Sequence, residues 1–479
     1  MIHKLYINGK WISSTSKKTF PSYNPATNKI MGHFQAGNEK DVNKAVEAAT
    51  KALPSWKATP APKRAEYLFQ IRDLLIKNKE DLARCMTQEM GKVLSEAKGD
   101  VQEAIDCFEY MAGEGRRLFG HTTPSELKNK FCMTTRIPLG VCALITPWNF
   151  PIAIPAWKIS AALITGNTII LKPSSDTPLM ATKLFHLFKH LPKGIVNLVT
   201  GSGREVGSKL VKHKDIQGIS FTGSRNTGKF ILKNAGLKKV GLELGGKNGI
   251  IVMDDANLDL AVDGILWGGF GTTGQRCTAT SRVIAHKKIK KKLERKLIKR
   301  IKKLKLGNGL KKQTDIGPLI NKKAVEKTKK YLEIGKKEGA KLLCGGTFEN
   351  NFFQPTLFTN AKKNFKIAQE EIFGPVVTII PIKNLDEAIQ TINSISYGLS
   401  SSIYTNNMTN AFKAIEQIES GITYINASTI GAEVHLPFGG IKETGNTREA
   451  GIEGINEFSH TKTIYIDYSN KLQKAQGID

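Results

Sequence analysis

The first 120 residues combine a strand-like segment with amphipathic helical segments. Lys4 to Ile12 has the composition of a strand, and residues 24–28, Asn-Pro-Ala-Thr-Asn, that of a turn. Asp41 to Leu53 carries apolar residues every three or four positions, which predicts a helix with one buried face. The same periodicity predicts two further helices, over Lys63–Lys77 and Lys79–Met90.

From about residue 140 onward the pattern changes to short apolar runs alternating with helical segments. Val141–Ile145, Thr168–Leu171 and Val196–Val199 are such runs, and a second series begins at Gly249–Met253 and extends to about Asn426. Strands that alternate with helices form parallel sheets covered on both faces. Because 479 residues exceed one hydrophobic core, the two series predict at least two α/β domains.

The chain is strongly basic, with 71 Lys and Arg against 42 Asp and Glu and a formal charge of +29. Its densest basic run, Lys287 to Lys305, keeps apolar residues at helical spacing, so the lysines fall on the outer faces of an amphipathic helix. The run has neither a nucleic-acid reading motif nor interleaved aromatic residues, and we expect no nucleic-acid partner. The charge favours anionic substrates or cofactors.

Targeting and metal signals are weak. The first residues lack a continuous apolar run, and the apolar stretch 151–171 is interrupted by Lys158 and Asn167, so we expect neither secretion nor a membrane span. The cysteines lie far apart without CxxC spacing, which argues against a metal site and against disulfides. We expect a reducing, cytoplasmic compartment. The cysteines are Cys85, Cys107, Cys132, Cys142, Cys277 and Cys344.

Cys277 differs from the others because it lies among glycines and small polar residues, from Gly269 to Thr280. Glycines allow a ligand to approach the backbone, and Arg276 with nearby amides would favour a thiolate. This setting indicates a nucleophile. The alternative, a buried packing cysteine, stays open on the local sequence alone.

Two glycine-rich segments and one acid are weaker signals. Gly201–Gly207 and Phe221–Gly228 follow strand-like runs but miss the GxGxxG spacing, and each alone is typical of a turn. Ser224 and the amides after it could still present a helix N-terminus to a pyrophosphate. Glu243 lies among apolar residues and glycines, which suits a general base of raised pKa, although a salt-bridged glutamate is the commoner situation.

Seven motifs, in this order, resemble those of the aldehyde dehydrogenase superfamily, and the resemblance covers nearly the whole chain. The motifs are Thr146-Pro-Trp-Asn-Phe-Pro151, Lys172-Pro-Ser-Ser-Asp-Thr-Pro178, Phe221-Thr-Gly-Ser224, Glu243-Leu-Gly-Gly-Lys247, Gly274-Gln-Arg-Cys277, Glu370-Glu-Ile-Phe-Gly-Pro375 and Pro437-Phe-Gly-Gly-Ile-Lys442.

The resemblance implies a catalytic set of three residues. Cys277 attacks the aldehyde carbonyl, and Asn149 with the backbone N–H of Cys277 stabilises the oxyanion. After hydride transfer to the nicotinamide, Glu243 activates the water that hydrolyses the thioester. No metal is implied.

The resemblance also implies a dinucleotide site, in which Lys172 contacts the adenosine ribose, Ser224 the pyrophosphate, and Glu371 with Phe373 the nicotinamide ribose. Relatives that prefer NAD commonly have a glutamate at the position of Ser175. Serine removes a charge that would repel a 2′-phosphate, so we expect NADP to be preferred and NAD to be possible. The implied cofactor residues are Thr146, Pro147, Trp148, Lys172, Ser174, Ser175, Gly203, Gly207, Phe221, Gly223, Ser224, Leu244, Glu371 and Phe373.

For the substrate, the loop from Asn426 to Leu436 resembles members that act on semialdehydes of dicarboxylic acids. Succinate semialdehyde is the first expectation, and 2-oxoglutarate semialdehyde or a broad range of aldehydes are alternatives, since Trp157 suits an apolar aldehyde equally well. Arg276 follows the family pattern and is not a specificity signal. The expected pocket residues are Trp157, Arg276, Thr278, Ser428 and Phe438.

The resemblance implies a parallel-sheet NAD(P)-binding domain (residues 1–120 and 140–245), an α/β catalytic domain (246–425), and small β oligomerisation segments (121–139 and 426–479). Strands near 127–136 and 461–468 would pair across subunits, giving a homodimer or homotetramer. Two other classes remain as alternatives. A CoA-acylating enzyme would not need Glu243, and an inactive binding protein would not need to retain Cys277 and Asn149.

Overall fold

The structure is a computed structural model that describes residues 2–476. The strands, numbered in chain order, are β1 (Ile2–His3), β2 (Leu5–Ile7), β3 (Lys10–Ile12), β4 (Thr19–Tyr23), β5 (Ile30–Gln35), β6 (Thr122–Thr123), β7 (Lys130–Pro138), β8 (Val141–Ile145), β9 (Thr168–Lys172), β10 (Val196–Leu198), β11 (Gly218–Thr222), β12 (Lys239–Glu243), β13 (Asn248–Val252), β14 (Thr280–His286), β15 (Lys341–Cys344), β16 (Phe348–Glu349), β17 (Phe352–Phe353), β18 (Thr356–Thr359), β19 (Val376–Ile382), β20 (Tyr397–Gly398), β21 (Ser400–Tyr404), β22 (Ile422–Ile425), β23 (Ile441–Lys442) and β24 (Ser459–Asp467).

The α-helices, numbered in the same way, are α1 (Glu39–Ala58), α2 (Ala61–Met90), α3 (Leu94–Glu114), α4 (Ala153–Ile164), α5 (Pro178–His186), α6 (Ser208–Lys212), α7 (Arg225–Asn234), α8 (Leu258–Phe270), α9 (Lys287–Ile301), α10 (Lys322–Lys337), α11 (Lys366–Gln369), α12 (Leu385–Asn393), α13 (Met408–Gln417) and α14 (Gly451–Glu457).

The first large sheet has the strand order β12-β11-β8-β9-β10-β2-β3, and β8 to β12 run parallel. Alternate residues of β8 enter two different cores. Leu144 packs in a cluster with helices α2 to α5, whereas Ala143 packs in a cluster with α1, α6 and α7. Every residue of β8 is therefore buried, as expected for a parallel strand covered on both faces.

The second large sheet has the order β15-β18-β19-β14-β13-β21-β22, and only β15 is antiparallel to its neighbour. Helices α8 and α9 cover one face and α12 with α13 the other. In the lysine-rich helix α9, Leu293, Leu297 and Ile301 are buried, and the helical prediction for this run is confirmed. Two parallel sheets with helices on both faces confirm the predicted α/β class.

The two sheets meet where β12 ends. Glu243 is the last residue of β12, and β13 of the second sheet begins five residues later at Asn248. The segment between them is fixed by the Leu244 N–H, which donates to the Thr444 carbonyl at 2.6 Å. The carboxyl ends of parallel strands are the usual location of ligand sites in α/β folds, so this junction is where a site is expected.

A third sheet, of order β24-β7-β6, joins the two predicted arm strands within one chain. The pairing of β24 with β7 is antiparallel and extends from Ser459 opposite Pro138 to Asp467 opposite Lys130. In residues 2–476, β24 is an outer strand of this sheet, and Tyr465 and Ile466 on it are exposed.

Two local predictions differ from the structure. The two helices expected over 63–90 are the single helix α2, because no glycine or proline interrupts residues 64–90. The strand expected over 4–12 is the hairpin β2-β3, which turns at Asn8 and Gly9 with φ of 53° and 76°. An Asn-Gly pair between two strand-like segments is a strong hairpin signal. None of the helices in residues 2–476 has the length and apolar character needed to cross a bilayer.

Candidate active site

Cys277 lies in a loop between α8 and β14 whose backbone is unusual. Thr272 and Thr273 have φ of 51° and 58°, and Gly274 has φ of 68°. A Cβ atom at Gly274 would lie 2.3 Å from the Gly374 carbonyl oxygen, so only glycine fits there. The loop is also tied to α3, since the Thr272 N–H donates to a carboxylate oxygen of Glu96 at 2.8 Å. Strain of this kind persists where surrounding contacts impose it.

Two cavities meet at Cys277. The first cavity, of about 310 Å³, lies on the side of the first sheet. The second cavity, of about 90 Å³, lies on the opposite side. The residues that line both are Ile154, Thr222, Leu244 and Cys277. The thiol is therefore accessible from two directions, as a nucleophile between two reactants must be.

The first cavity collects nine of the predicted site residues, and its lining suits an anionic dinucleotide. Ser224 caps helix α7 by accepting from the Thr227 N–H, so the N-terminus of a ten-residue helix faces the cavity. Lys323 and Lys327 add positive charge. The predicted residues found here are Pro147, Trp148, Asn149, Gly223, Ser224, Leu244, Cys277, Glu371 and Phe373.

Glu371 lies at the inner end of this cavity and is well placed to accept from ribose hydroxyls. It accepts from the Gly246 N–H at 3.0 Å. Burial raises the pKa of Glu371, while Lys327 and the Gly246 amide oppose the increase. Beside it, Phe373 packs edge-on against Trp148 with ring centroids 5.5 Å apart.

The remaining predicted cofactor residues lie outside the lining of the first cavity. The Lys172 ammonium donates to the Pro173 carbonyl, and burial lowers its pKa to about 8. A Cβ at Gly207 would lie 3.7 Å from Lys172. The Ser175 hydroxyl donates to the Gly201 carbonyl at 3.1 Å. These residues form a group at the ends of β9 and β10, and the further members of the predicted set outside the cavity are Thr146, Ser174, Gly203 and Phe221.

Asn149 is held with one amide N–H already engaged. Its side-chain nitrogen donates to the Gln275 carbonyl at 3.0 Å, two residues before Cys277. Gln275 is itself fixed, because its side chain donates to the Thr272 carbonyl and accepts from the Ile320 N–H. The second N–H of Asn149 is the one that can reach an oxyanion formed at Cys277.

The pKa of Cys277 is raised to about 12. Burial is the main cause, followed by the negative charges of Glu243 and Glu371, whereas the backbone amides of Thr278 and Cys277 lower the pKa. The backbone amides thus favour the thiolate as expected, but burial and the two acids outweigh them. Arg276 donates to Thr272 and pairs with Glu96 at 3.4 Å, so Glu96 partly compensates its charge. Cys277 therefore needs a base that removes its proton.

Glu243 is positioned to be that base. It is 2% exposed and lines the second cavity with Cys277, and in residues 2–476 neither of its carboxyl oxygens has a hydrogen-bond partner. Burial, and next the charge of Glu449, raise the pKa of Glu243 well above its ordinary value. Glu449 in turn forms a buried ion pair with Lys158. A carboxylate in this setting binds a proton strongly.

The second cavity is lined mainly by aromatic and small apolar side chains. Trp157 and Phe438 pack edge-on with centroids 4.9 Å apart, and Phe150 lies beside them. Thr278 and Arg276, also predicted, line this cavity. Ser428 does not line it, because its hydroxyl donates to the Gly264 carbonyl at 2.8 Å.

Outside the second cavity lies a wider vestibule of about 630 Å³. Five residues line both spaces and form a neck between them: Glu103, Phe150, Arg276, Gly431 and Ala432. The vestibule has several acids on its walls, namely Glu96, Asp100, Glu103, Asp106 and Glu433. The walls of the vestibule are thus rich in acids, although the chain as a whole carries a net positive charge.

Sequence reasoning did not identify several residues of the site. Lys158 was noted only as an interruption of an apolar stretch, although a lysine in such a run must find a buried acid, here Glu449. Lys327 lies on a lysine-rich helix, so nothing in the sequence distinguishes it from the lysines beside it. Glu103 lies on α3, far from the recognised motifs.

Fold and site together define the class of protein. Two parallel α/β sheets place one cysteine between a cavity suited to a dinucleotide and a cavity suited to an organic substrate, as a cofactor-dependent oxidoreductase requires. The chain belongs to the aldehyde dehydrogenase family, whose model matches residues 11–464. Proteins of this family oxidise aldehydes, which confirms the resemblance inferred from the motifs and the expectation of an enzyme.

Named relatives span nearly the whole chain. It is 40% identical over 474 residues to the alpha-ketoglutaric semialdehyde dehydrogenase of Bacillus subtilis, covering 96% of this chain and 97% of the relative. It is 39% identical over 466 residues to the glutarate-semialdehyde dehydrogenase of Pseudomonas putida, covering 96% and 97%.

Solved structures agree with the fold. A point mutant of the betaine aldehyde dehydrogenase from Staphylococcus aureus, solved with NAD+, superposes with a TM-score of 0.96 at 36% identity, covering 98% of this chain and 97% of that one. An NADP-dependent enzyme of E. coli superposes with a TM-score of 0.95 at 36% identity, covering 97% and 98%. Both nicotinamide cofactors thus occur on this fold.

Proposed function

We propose that this protein oxidises a short aldehyde carrying a carboxylate to the corresponding dicarboxylate, with NADP+ preferred over NAD+. Succinate semialdehyde is the first candidate, and 2-oxoglutarate semialdehyde is the alternative of the same class. The observation that carries the proposal is the position of Arg276: although its sequence context is not a specificity signal and its guanidinium pairs with Glu96, the side chain lines both the second cavity and the vestibule. A four- or five-carbon chain attached at Cys277 would place its carboxylate near that neck.

The chemistry proposed for this chain begins with proton transfer from the Cys277 thiol to Glu243. The sulfur attacks the aldehyde carbon, and the oxyanion accepts from the free N–H of Asn149 and from the Cys277 backbone N–H. Bound NADP+ supplies the hydride acceptor for oxidation to the thioester. Glu243 releases the proton of the Cys277 thiol to solvent, and its carboxylate then takes a proton from the water that attacks the thioester; the acid is released and Cys277 leaves as a thiolate.

The NADP preference rests on the charges around Ser175. Serine adds no charge at this position, and the Lys172 ammonium lies in the same group of residues. Arg204 lies in the turn Gly203–Gly207, and its side chain is 93% exposed. Its guanidinium is 4.0 Å from the Glu205 carboxylate, too far for a hydrogen bond, so it is free to contact a 2′-phosphate.

The cofactor proposal is tested with Ser175→Glu and the matched variant Ser175→Thr. We expect the glutamate variant to move the ratio of kcat/KM for NADP to that for NAD towards NAD by about tenfold or more, through repulsion of the 2′-phosphate. The threonine variant keeps the ratio of the parent. An unchanged ratio in Ser175→Glu contradicts the assignment.

A second candidate substrate, an aldehyde with a cationic head, is favoured by a specific observation. Phe150, Trp157 and Phe438 surround the second cavity, and aromatic faces bind quaternary ammonium groups. The acids of the vestibule would attract such a substrate, and one of the similar solved structures is a betaine aldehyde dehydrogenase.

The deciding experiment compares kcat/KM for succinate semialdehyde, butanal and betaine aldehyde, each with NADP+ and with NAD+, in the absence and presence of CoA. Preference for the semialdehyde supports the proposal, and preference for betaine aldehyde selects the second candidate. Preference for butanal would be consistent with aldehyde oxidation but would contradict the proposal that the substrate carries a carboxylate. Stimulation by CoA, with an acyl-CoA product, would show the acylating reaction instead of hydrolysis at Glu243.

We further propose that the first large sheet, with the segments 1–120 and 140–245, is the NADP-binding domain and that residues 246–425 form the catalytic domain. The outer edge of β24, with Tyr465 and Ile466 exposed beside it, is offered to a second copy in a homodimer or homotetramer. Sedimentation of the protein before and after Tyr465→Pro tests this role: residues 466 and 468 direct their N–H groups to β7, so the Tyr465 N–H lies on the outer edge, and the parent should be oligomeric whereas the variant should dissociate.

A further inference from the structure

We propose that Glu103 is a specificity-determining residue whose protonation state selects the charge carried by the substrate's tail. In its neutral form the Glu103 carboxyl donates a hydrogen bond to a carboxylate tail, and in its ionised form it rejects that tail and favours a cationic one. This inference rests on the proposed function for its preferred substrate, but its test does not.

The position of Glu103 supports this role. It lies on α3, one turn after Asp100, and is one of the five residues of the neck between the second cavity and the vestibule. Of these, Glu103 and Arg276 carry ionisable groups. A substrate whose carbonyl lies at Cys277 and whose chain extends outward passes beside both residues. In residues 2–476, no donor lies within hydrogen-bond distance of the Glu103 carboxyl, so the group is available to a ligand.

Burial is the main reason that the pKa of Glu103 is raised above neutral pH. Its pKa is raised to about 8, mainly by burial and then by Asp100, whereas Lys92 and Arg276 oppose the increase and Asp106 adds to it. Lys92 and Asp100 form a buried ion pair, so the charge of each reduces the effect of the other on the pKa of Glu103.

Other charged groups face the neck from two further directions. Glu433 and His435 lie across the vestibule on the loop that supplies Gly431 and Ala432. Glu243 and Glu449 line the second cavity on its inner side. The acids among these groups act in the same direction as Asp100 and resist ionisation of Glu103.

The consequence is a pH-dependent choice between substrates. At pH below about 8 a neutral carboxylic acid and the Arg276 guanidinium together offer donors to a carboxylate tail. Above that pH Glu103 becomes an anion beside the same tail, and like charges in a partly desolvated passage repel. An uncharged tail of equal length experiences neither effect.

The experiment measures the ratio of kcat/KM for succinate semialdehyde to that for butanal, from pH about 6 to about 10. Ionisation of Cys277 and Glu243 affects both substrates and cancels in the ratio. In the parent enzyme we expect the ratio to fall by about tenfold or more as pH rises through about 8, mostly through KM for the semialdehyde. The ratio for betaine aldehyde to butanal should rise over the same range.

Glu103→Gln is the decisive variant, since the amide donates a hydrogen bond at every pH and cannot ionise. It should keep the low-pH ratio and remove the pH dependence of that ratio. Glu103→Ala should lower the ratio at low pH. The matched control is Glu109→Gln, an exposed acid on the same helix whose carboxylate pairs with Arg72, and it should behave as the parent.

A ratio that does not depend on pH in the parent enzyme, or a Glu103→Gln variant that retains the parent's dependence, overturns the inference. Failure of the proposed function looks different. If the semialdehyde is the poorer substrate at every pH but the ratio still falls through about pH 8 and is flat in Glu103→Gln, Glu103 selects tail charge and the natural substrate is not the semialdehyde.

Discussion

Replacing Asn149 by alanine tests the central geometry of the site, because it removes two separate interactions of one amide group. One N–H of the side chain is bound to the Gln275 carbonyl at 3.0 Å, and the other is the proposed donor to the oxyanion at Cys277. The first interaction contributes to stability and the second to the transition state. The two losses are measured by different assays.

The magnitudes follow from the burial of the partners. Gln275 is fully buried, so its carbonyl loses a partner that water cannot replace, which costs about 1 to 3 kcal/mol of folding free energy. Loss of one oxyanion donor costs about 3 to 4 kcal/mol in the transition state, which lowers kcat by about 10² to 10³. KM should change little, because the ground-state aldehyde carries no oxyanion.

The assay is steady-state formation of reduced nicotinamide with succinate semialdehyde and with butanal, together with the midpoint of urea unfolding. Asn149→Asp is the companion variant. It keeps the size of the side chain, but its carboxylate faces the Gln275 carbonyl and offers no donor when ionised. A folded Asn149→Ala enzyme whose kcat falls less than about tenfold would refute the assignment of this amide to the oxyanion.

Three further outcomes are expected. Glu243→Gln should lower the steady-state kcat by about 10² to 10⁴. It should also abolish the rise of kcat that the parent shows as pH passes through the raised pKa of Glu243. Stopped-flow and steady-state rates over a range of pH measure both effects, and a retained pH profile contradicts the assignment of Glu243 as the base. Lys158→Met should destabilise the fold by about 3 to 5 kcal/mol in urea unfolding, because Glu449 is left buried without its cation, and a second change of Glu449→Leu should restore much of the loss. Gly274→Ala should abolish activity or folding, because its positive φ and the nearby Gly374 carbonyl exclude a Cβ. Gly203→Ala should fold as the parent, since no atom lies within 4 Å of the added carbon. Equal behaviour of the two variants would show that the loop at Gly274 is not constrained.

Regular elements were the easiest to predict from the sequence. The strand predicted at Val141–Ile145 has the observed bounds, because a run of only five apolar residues, between Gly140 and Thr146-Pro147, is too short for a helix and favours a buried strand. Helix α9 was predicted for a similar reason, since its apolar residues recur at one helical period. The predictions were wrong at the boundaries of elements. Helix α2 continues because no glycine or proline interrupts it, and β2 and β3 are two strands because the Asn8-Gly9 pair forms a turn.

The charge environment of the site was the hardest to predict. Arg276 immediately precedes Cys277 in sequence, and this proximity suggested that it favours the thiolate. In the fold its guanidinium turns to Glu96 on α3, and Cys277 instead faces the acids Glu243 and Glu371. A pKa depends on every charge within several ångströms and on burial, and neither is a local property of the sequence.

The sequence by itself determined the fold class and the family and predicted the nucleophile, because periodicity, turn chemistry and ordered motifs are written along the chain. Only the tertiary structure decided what surrounds these groups. Helix α3 contributes Glu103 to the neck, and residues 449 and 158 form the ion pair behind Glu243, across 291 positions of sequence. Such contacts are set by how the packed sheets and helices bring distant segments together, and that packing is where the specificity of this enzyme is expected to lie.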